Sequence, residues 1–169
     1  MTLFQKASVS FELSDDKEFT RNSRTFKFLN LVVKNNKPSL LKQIIFGKIN
    51  INNGRVWLRF KDYSSHIEML KINARWASTK EPVDYSSGQP VIPEILLPSR
   101  DNIPVDEESS ISVAIKEKGD NTFFAFNNES YLHNWKNPDF ELDDNKYLLE
   151  VRLLADGNEY KQEFLLTNP

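Results

Sequence analysis

The stretch from Leu142 to Leu166, LDDNKYLLEVRLLADGNEYKQEFLL, limits the fold more than any other part of the chain. Tyr147, Leu149, Val151 and Leu153 recur at every second position, and in an extended strand such residues share one face. Asp156-Gly157 follows, and glycine supplies the positive φ that a tight hairpin turn requires. Tyr160, Gln162, Phe164 and Leu166 bring the chain back with the same period. A hairpin with one dry and one wet face needs a second apolar layer to cover it.

The remainder of the chain offers that layer. Val9, Phe11 and Leu13 alternate in a first strand, followed by a polar loop or wandering edge over residues 14–23. Within Arg24 to Lys34 the apolar phase slips between Phe26/Phe28 and Leu29/Leu31/Val33, which predicts a β-bulge or a strand covered on both faces. Leu41 to Ile51 reads as a strand from its β-branched residues, with a short helix over Leu40 to Phe46 as the rival reading. Asn53-Gly54 predicts a type I′ turn, and Val56, Leu58 and Phe60 then point inward with Trp57 outward. Ile67 to Trp76 reads as one strand burying Leu70, Ile72, Ala74 and Trp76.

Residues 77–109 hold five of the eight prolines, and a short edge strand is expected at Val91 to Leu97. Ile111, Val113 and Ile115 mark another strand, which turns at Gly119-Asp120-Asn121 and returns over Thr122 to Phe126. No segment keeps a helical period, and no internal repeat is present. The expectation is an all-β, two-sheet antiparallel sandwich of about eight to nine strands, one domain over residues 1–169.

Composition narrows the function classes. A net charge of −2 and a pI near 5.8 argue against a general nucleic-acid or anionic-membrane binder, although Lys27, Lys34, Lys37, Lys42 and Lys48 leave room for a local basic face. With no cysteine there is no disulfide, thiolate metal site or cysteine nucleophile. The N-terminus carries neither a signal peptide nor a membrane span, which together with the missing cysteines favours a soluble, cytoplasmic setting.

Asp143, Tyr147 and Leu149 resemble the late-strand signature of immunoglobulin-like domains, in which a Tyr hydroxyl fastens a corner between strands. Leu149 stands where antibody-type domains place Cys, so no inter-sheet disulfide accompanies it. Over residues 26–168, the runs LNLVVKNN, NARWAS, SSISVAIKEKGD and KYLLEVRLLADGNEYKQEFLLTN are similar to immunoglobulin-like sandwich domains of prokaryotic proteins. The resemblance implies a fold and an interaction role, and it supplies no active site.

Several constellations carry two readings. Trp57, Trp76, Trp135, Tyr131 and Phe140 could form a platform for sugar rings, or Trp76 could sit in the core and Trp135 pin a loop onto a sheet end. Asp139, Glu141, Asp143 and Asp144 crowd one loop, yet they lack EF-hand spacing and read as a solvated acidic loop. His66 and His133 are the only histidines, and Asp62, Ser64, Ser65 and His66 are too close in sequence to face one another as a triad. No phosphate-cradling or zinc-protease motif is present. The sequence therefore points to a non-enzymatic module without cofactor or metal, binding a protein partner through an edge strand or end loops. Trp135, Tyr131 and Tyr85 are the expected contact residues. A carbohydrate-binding module is the alternative, and an uncharacterised hydrolase the second.

Overall fold

A computed structural model describes residues 6–21, 23–142 and 146–167. In chain order the first elements are β1 (Ser8–Arg21), β2 (Arg24–Asn36), α1 (Leu40–Phe46), β3 (Ile51–Asp62) and β4 (Glu68–Asn73). The middle of the chain forms β5 (Arg75–Trp76), β6 (Val83–Asp84), β7 (Gln89–Pro90), α2 (Ile92–Leu96) and β8 (Asp101–Ile103). Then come β9 (Glu108–Glu117), β10 (Phe123–Ala125), two 3₁₀ helices (Asn128–His133 and Pro138–Phe140), β11 (Glu141–Leu142), β12 (Tyr147–Ala155) and β13 (Asn158–Leu166). The fold is an all-β sandwich of antiparallel sheets.

One sheet runs β1-β2-β9-β10-β11, with β5 also pairing β9. The other runs β13-β12-β3-β4, with β8 pairing the start of β3. The C-terminal hairpin forms as its pattern predicts, with Tyr147 opposite Leu166 and Ala155 opposite Asn158. Leu149 and Val151 register with Phe60 and Leu58 of β3, so the predicted dry faces of three strands meet. Leu31, Val33, Ile111 and Trp76 face them from the other sheet and complete the interior.

β2 is a strand covered on both faces: Leu29, Leu31 and Val33 enter the main core, and Phe26 and Phe28 the other side of the sheet. Its register against β9 shifts between Leu29 and Asn30, where Leu29 pairs with Ala114 and Asn30 with Ser112. Phe26, Phe28 and Ile115 form a second cluster with Phe124, Phe126, Tyr131 and Trp135. The extra residue, Val113, lies on β9, so the bulge changes the phase of β9, sending Ile111 and Val113 to the main core and Ile115 to the second cluster. Aromatics there need a lid, and the 3₁₀ helix Asn128–His133 supplies it. Asn127 accepts from the Glu129 amide and Ser130 accepts from the Asn127 amide, a reciprocal cap that fixes the helix start.

Four sequence expectations are corrected. Residues 14–21 continue β1 as a strand rather than a loop, with a register shift between Ser14 and Lys17. Leu40–Phe46 is helical, not extended, and Gly47, at φ 76°, ends the helix as its amide donates to the Gln43 carbonyl at 2.8 Å. Val91 to Leu97 contains α2, because Pro93 suits the first helical turn, where no amide is needed. Asn53-Gly54 makes no turn: Asn53 takes the left-handed conformation, at φ 55°, and the chain runs on through β3 past an irregularity opposite β8. Gly54 is required for closeness instead, since a Cβ there would lie 3.2 Å from Leu153 Cδ1 and 3.3 Å from the Asp101 carbonyl.

The expected strand from Ile67 to Trp76 is divided. β4 pairs with β3, whereas β5 pairs with β9 in the facing sheet. Crossing at Ala74 puts the two side chains of β5 on opposite faces. Trp76 enters the main core, and its indole donates to the Gly54 carbonyl at 2.9 Å. Arg75 is buried under the lid, where it donates to the carbonyls of Trp76 and Thr79 and lies 5.7 Å from the Tyr131 ring.

Candidate binding edge and its charged outer face

A sheet edge offers unpaired backbone groups, so the state of each edge decides where a partner strand could add. On one side of the sandwich β1 and β13 are tied together. Gln162 donates to the Phe11 carbonyl at 3.4 Å, Lys6 donates to the Glu159 carbonyl at 2.6 Å, and the Lys6 ammonium sits 4.4 Å from the Tyr160 ring. On the other side β11 is only two residues long. β4 is a six-residue edge, and among the described residues no strand pairs with its outer side.

The chain reaches β4 through a turn built on Asp62. One Asp62 oxygen accepts from the amides and hydroxyls of both Ser64 and Ser65, at 2.6 to 3.1 Å. The Ser64 hydroxyl leads these bonds, which hold the Asp62 carboxyl at about 2. His66 completes the turn in the left-handed region, at φ 59°. Tyr63, Ile67 and Met69 are all exposed beside this edge. The register of β4 shifts at Met69, between the pairs Phe60–Leu70 and Lys61–Glu68. An edge with exposed apolar side chains is one that can accept another strand.

The outer face of the same sheet is a lattice of charges. Glu150 is only 1 % exposed although it lies on the polar side of β12. Its carboxylate meets Lys61 at 2.6 Å, Lys161 at 2.9 Å and Arg59 at 3.6 Å, and it also accepts from Arg152. The covering comes from the long stems of these cations lying over it, not from deep interior. Burial pushes the Glu150 carboxyl up, but the hydrogen bonds from Lys161, Lys61 and Arg152 outweigh it and hold the group at about 2. Trp57 stands in the same lattice with Arg55 4.4 Å and Lys71 4.6 Å from its ring.

At the far end of the other sheet, Glu117 accepts from Arg24 and meets Lys136 at 2.5 Å, and it too is held at about 2. All three carboxyls therefore have folded pKa values below their unfolded ones. Their contribution is fully present above the ordinary carboxylate range and is lost as pH falls through it toward about 2. Urea unfolding followed from pH 7 to pH 2 is expected to show stability falling across that window. Glu150→Gln is expected to cost about 1–3 kcal/mol at neutral pH and to flatten part of the acid dependence. An acid profile identical to that of the unaltered protein would show that the lattice contributes nothing.

Of the expected contact residues, Trp135 and Tyr131 pack together with ring centroids 6.2 Å apart, but in the interior, while Tyr85 is on the surface. Trp135 is 2 % exposed and Tyr131 7 %, whereas Tyr85 is 69 % exposed. Trp135 and Tyr131 are thus corrected from contact residues to parts of the second core. Trp135 is packed edge-on by Phe26, Phe28 and Phe126, and the Arg21 guanidinium lies 4.7 Å from its ring. Tyr131 donates to Glu81 at 3.2 Å, and burial pushes its hydroxyl pKa up.

The supposed sugar platform is lost in the same way. Trp76, Trp135, Tyr131 and Phe140 are buried, and Trp57 already carries two cations. His133 closes the lid helix Asn128–His133, apart from the Asp62 turn that contains His66, and the Asp62 oxygen that might orient a base is occupied by two serines. Of the acidic loop, Asp143 and Asp144 lie outside the described residues, as does the Asp143 part of the tyrosine-corner reading. Tyr147 itself packs against Phe123 with ring centroids 6.4 Å apart. Among the described residues no cluster of three or more His, Asp or Glu side chains is placed to hold a metal ion, and no helix is long and apolar enough to cross a membrane.

Sequence reasoning passed over Tyr63, Ile67 and Met69. The signal was present, since Ile67 and Met69 alternate with Glu68 in the phase opposite to the buried set. Comparison with protein-family models, with curated proteins and with solved structures returned no match.

Proposed function

We propose that the protein is a non-enzymatic, immunoglobulin-like binding module that takes an extended segment of a protein partner along the β4 edge. The observation that carries this reading is the contrast between edges: the β1/β13 side is tied across, while among the described residues β4 has no strand on its outer side and is flanked by Tyr63, Ile67 and Met69. The strand order supports the immunoglobulin-like assignment. β1-β2-β9 with β5 beside β9 follows the A-B-E-D order of that fold, and β13-β12-β3-β4 follows G-F-C with one added strand. Main-chain pairing would supply affinity, and alternate side chains of the guest would meet Ile67 and Met69 on one face or the Trp57 lattice on the other.

The test is a selection from a displayed peptide library, counter-screened with the double variant Ile67→Glu, Met69→Pro. Peptides that bind the unaltered protein, lose at least tenfold in affinity for the double variant and protect β4 amides from exchange are the expected result. Tyr85→Ala is expected to leave their binding unchanged. Selected peptides that bind the double variant equally well, or protect only the loops, would overturn the reading.

A further inference from the structure

The overall charge of −2 conceals a strong asymmetry. Residues 19–61 contain ten lysines and arginines and no aspartate or glutamate. Part of this charge is consumed internally, as with Arg24 on Glu117 and Lys61 on Glu150. The connection between β2 and β3 is different. Lys37, Lys42 and Lys48 are exposed there, and among the described residues none of them has an ion pair. The nearest acids along the pairing pattern, Asp106 and Glu107, meet this region through backbone bonds to Asn35 at the base of the connection.

α1 lies in the middle of this basic connection and is turned inside out. At 100° per residue, Leu40, Leu41, Ile44 and Ile45 occupy one arc of the helix. A helix resting on a sheet would bury that arc. Here the four are 76 %, 69 %, 81 % and 60 % exposed, while Gln43 on the other side is the residue turned toward the protein. The apolar stripe costs solvation in water, and the lysines around it cannot be what covers it. An apolar arc a few residues wide, bordered by unpaired cations, matches the interface of a bilayer carrying anionic headgroups. Leucine and isoleucine enter the acyl boundary there while lysine ammonium groups remain at the phosphates.

We propose that α1 is a peripheral membrane contact: Leu40, Leu41, Ile44 and Ile45 dip into the interface of an anionic bilayer, and Lys37, Lys42 and Lys48 bind its headgroups. This contact neither uses nor requires the β4 edge. It spans nothing, and the sandwich stays in water above the lipid.

Co-sedimentation with vesicles tests it, using phosphatidylcholine alone and phosphatidylcholine mixed with phosphatidylglycerol, at low and at physiological salt. The unaltered protein is expected to bind the anionic vesicles and to weaken as salt rises. Each lysine contributes roughly fivefold at low salt, so Lys37→Gln, Lys42→Gln and Lys48→Gln together should reduce binding by about two orders of magnitude. Ile44→Asp with Ile45→Asp should abolish it, and because α1 is exposed both variants should melt where the unaltered protein does. Leu41→Trp should shift its indole emission to the blue on anionic vesicles alone. Failure to bind either vesicle, equal binding to both, or binding indifferent to the α1 variants would overturn the proposal. So would a concentration-dependent dimer that Ile44→Asp dissolves in the absence of any vesicle binding, since the stripe would then belong to a second copy of this chain.

Discussion

Replacing Trp135 by alanine is expected to lower the unfolding free energy by about 3–5 kcal/mol, the cost of truncating a large aromatic in a packed interior. Phe26, Phe28, Phe126 and Tyr131 surround the indole with ring centroids 5.1 to 6.2 Å away. Among the described residues the buried indole nitrogen has no hydrogen-bond partner. Trp135→Phe therefore forfeits volume but no hydrogen bond, and it should cost much less than the alanine variant. Equilibrium urea unfolding reads both. A Trp135→Ala variant as stable as the unaltered protein would mean that the aromatic cluster on the outer face of the β2–β9 sheet is not a core.

Trp76 gives the opposite contrast. Trp76→Ala is expected to cost a similar amount, about 3–5 kcal/mol, since the side chain is fully buried between the sheets. Trp76→Phe is the more telling variant. It removes the indole donor from the Gly54 carbonyl, so an unpaired buried acceptor adds about 1–3 kcal/mol to the volume term. The same Trp-to-Phe exchange should thus be mild at position 135 and severe at position 76. Equal losses at the two positions would contradict the hydrogen bond that pins the crossing strand to β3.

Period-two patterning made the sandwich legible because Tyr147, Leu149, Val151 and Leu153 can all be buried only in an extended chain. The double covering of β2 was legible for the same reason, since Phe26 and Phe28 occupy the parity opposite to Leu29, Leu31 and Val33. The short helices were not. Leu40–Phe46 carries isoleucines that favour strands, and its apolar arc points at solvent, so the burial pattern that normally separates helix from strand is reversed. Prolines near Val91 to Leu97 fit an edge strand and a first helical turn equally well, and only the Val91 carbonyl bond to the Ile95 amide distinguishes them.

Asn53-Gly54 has turn chemistry, but Gly54 is set by the Leu153 side chain and the Asp101 carbonyl, both distant in sequence. The candidate site failed to show for a related reason. Aromatic content drew attention to Trp135 and Tyr131, whose burial depends on Phe26 and Phe28 lying on the outer face of β2 beneath them. An edge strand has no composition of its own. β4 is an edge because the chain leaves for the other sheet at Ala74, a fact of topology that residue types do not carry.

The most direct test of this arrangement is site-resolved amide hydrogen exchange on the native protein without ligand. The account predicts slow exchange for β12, for the β13 amides bonded to it and for the Trp135 amide, which donates to Ser130 at 2.8 Å beneath the lid. It predicts fast exchange for those β4 amides that face away from β3. Uniform protection along β4, or a Trp135 amide that exchanges as fast as the loop tips, would contradict it.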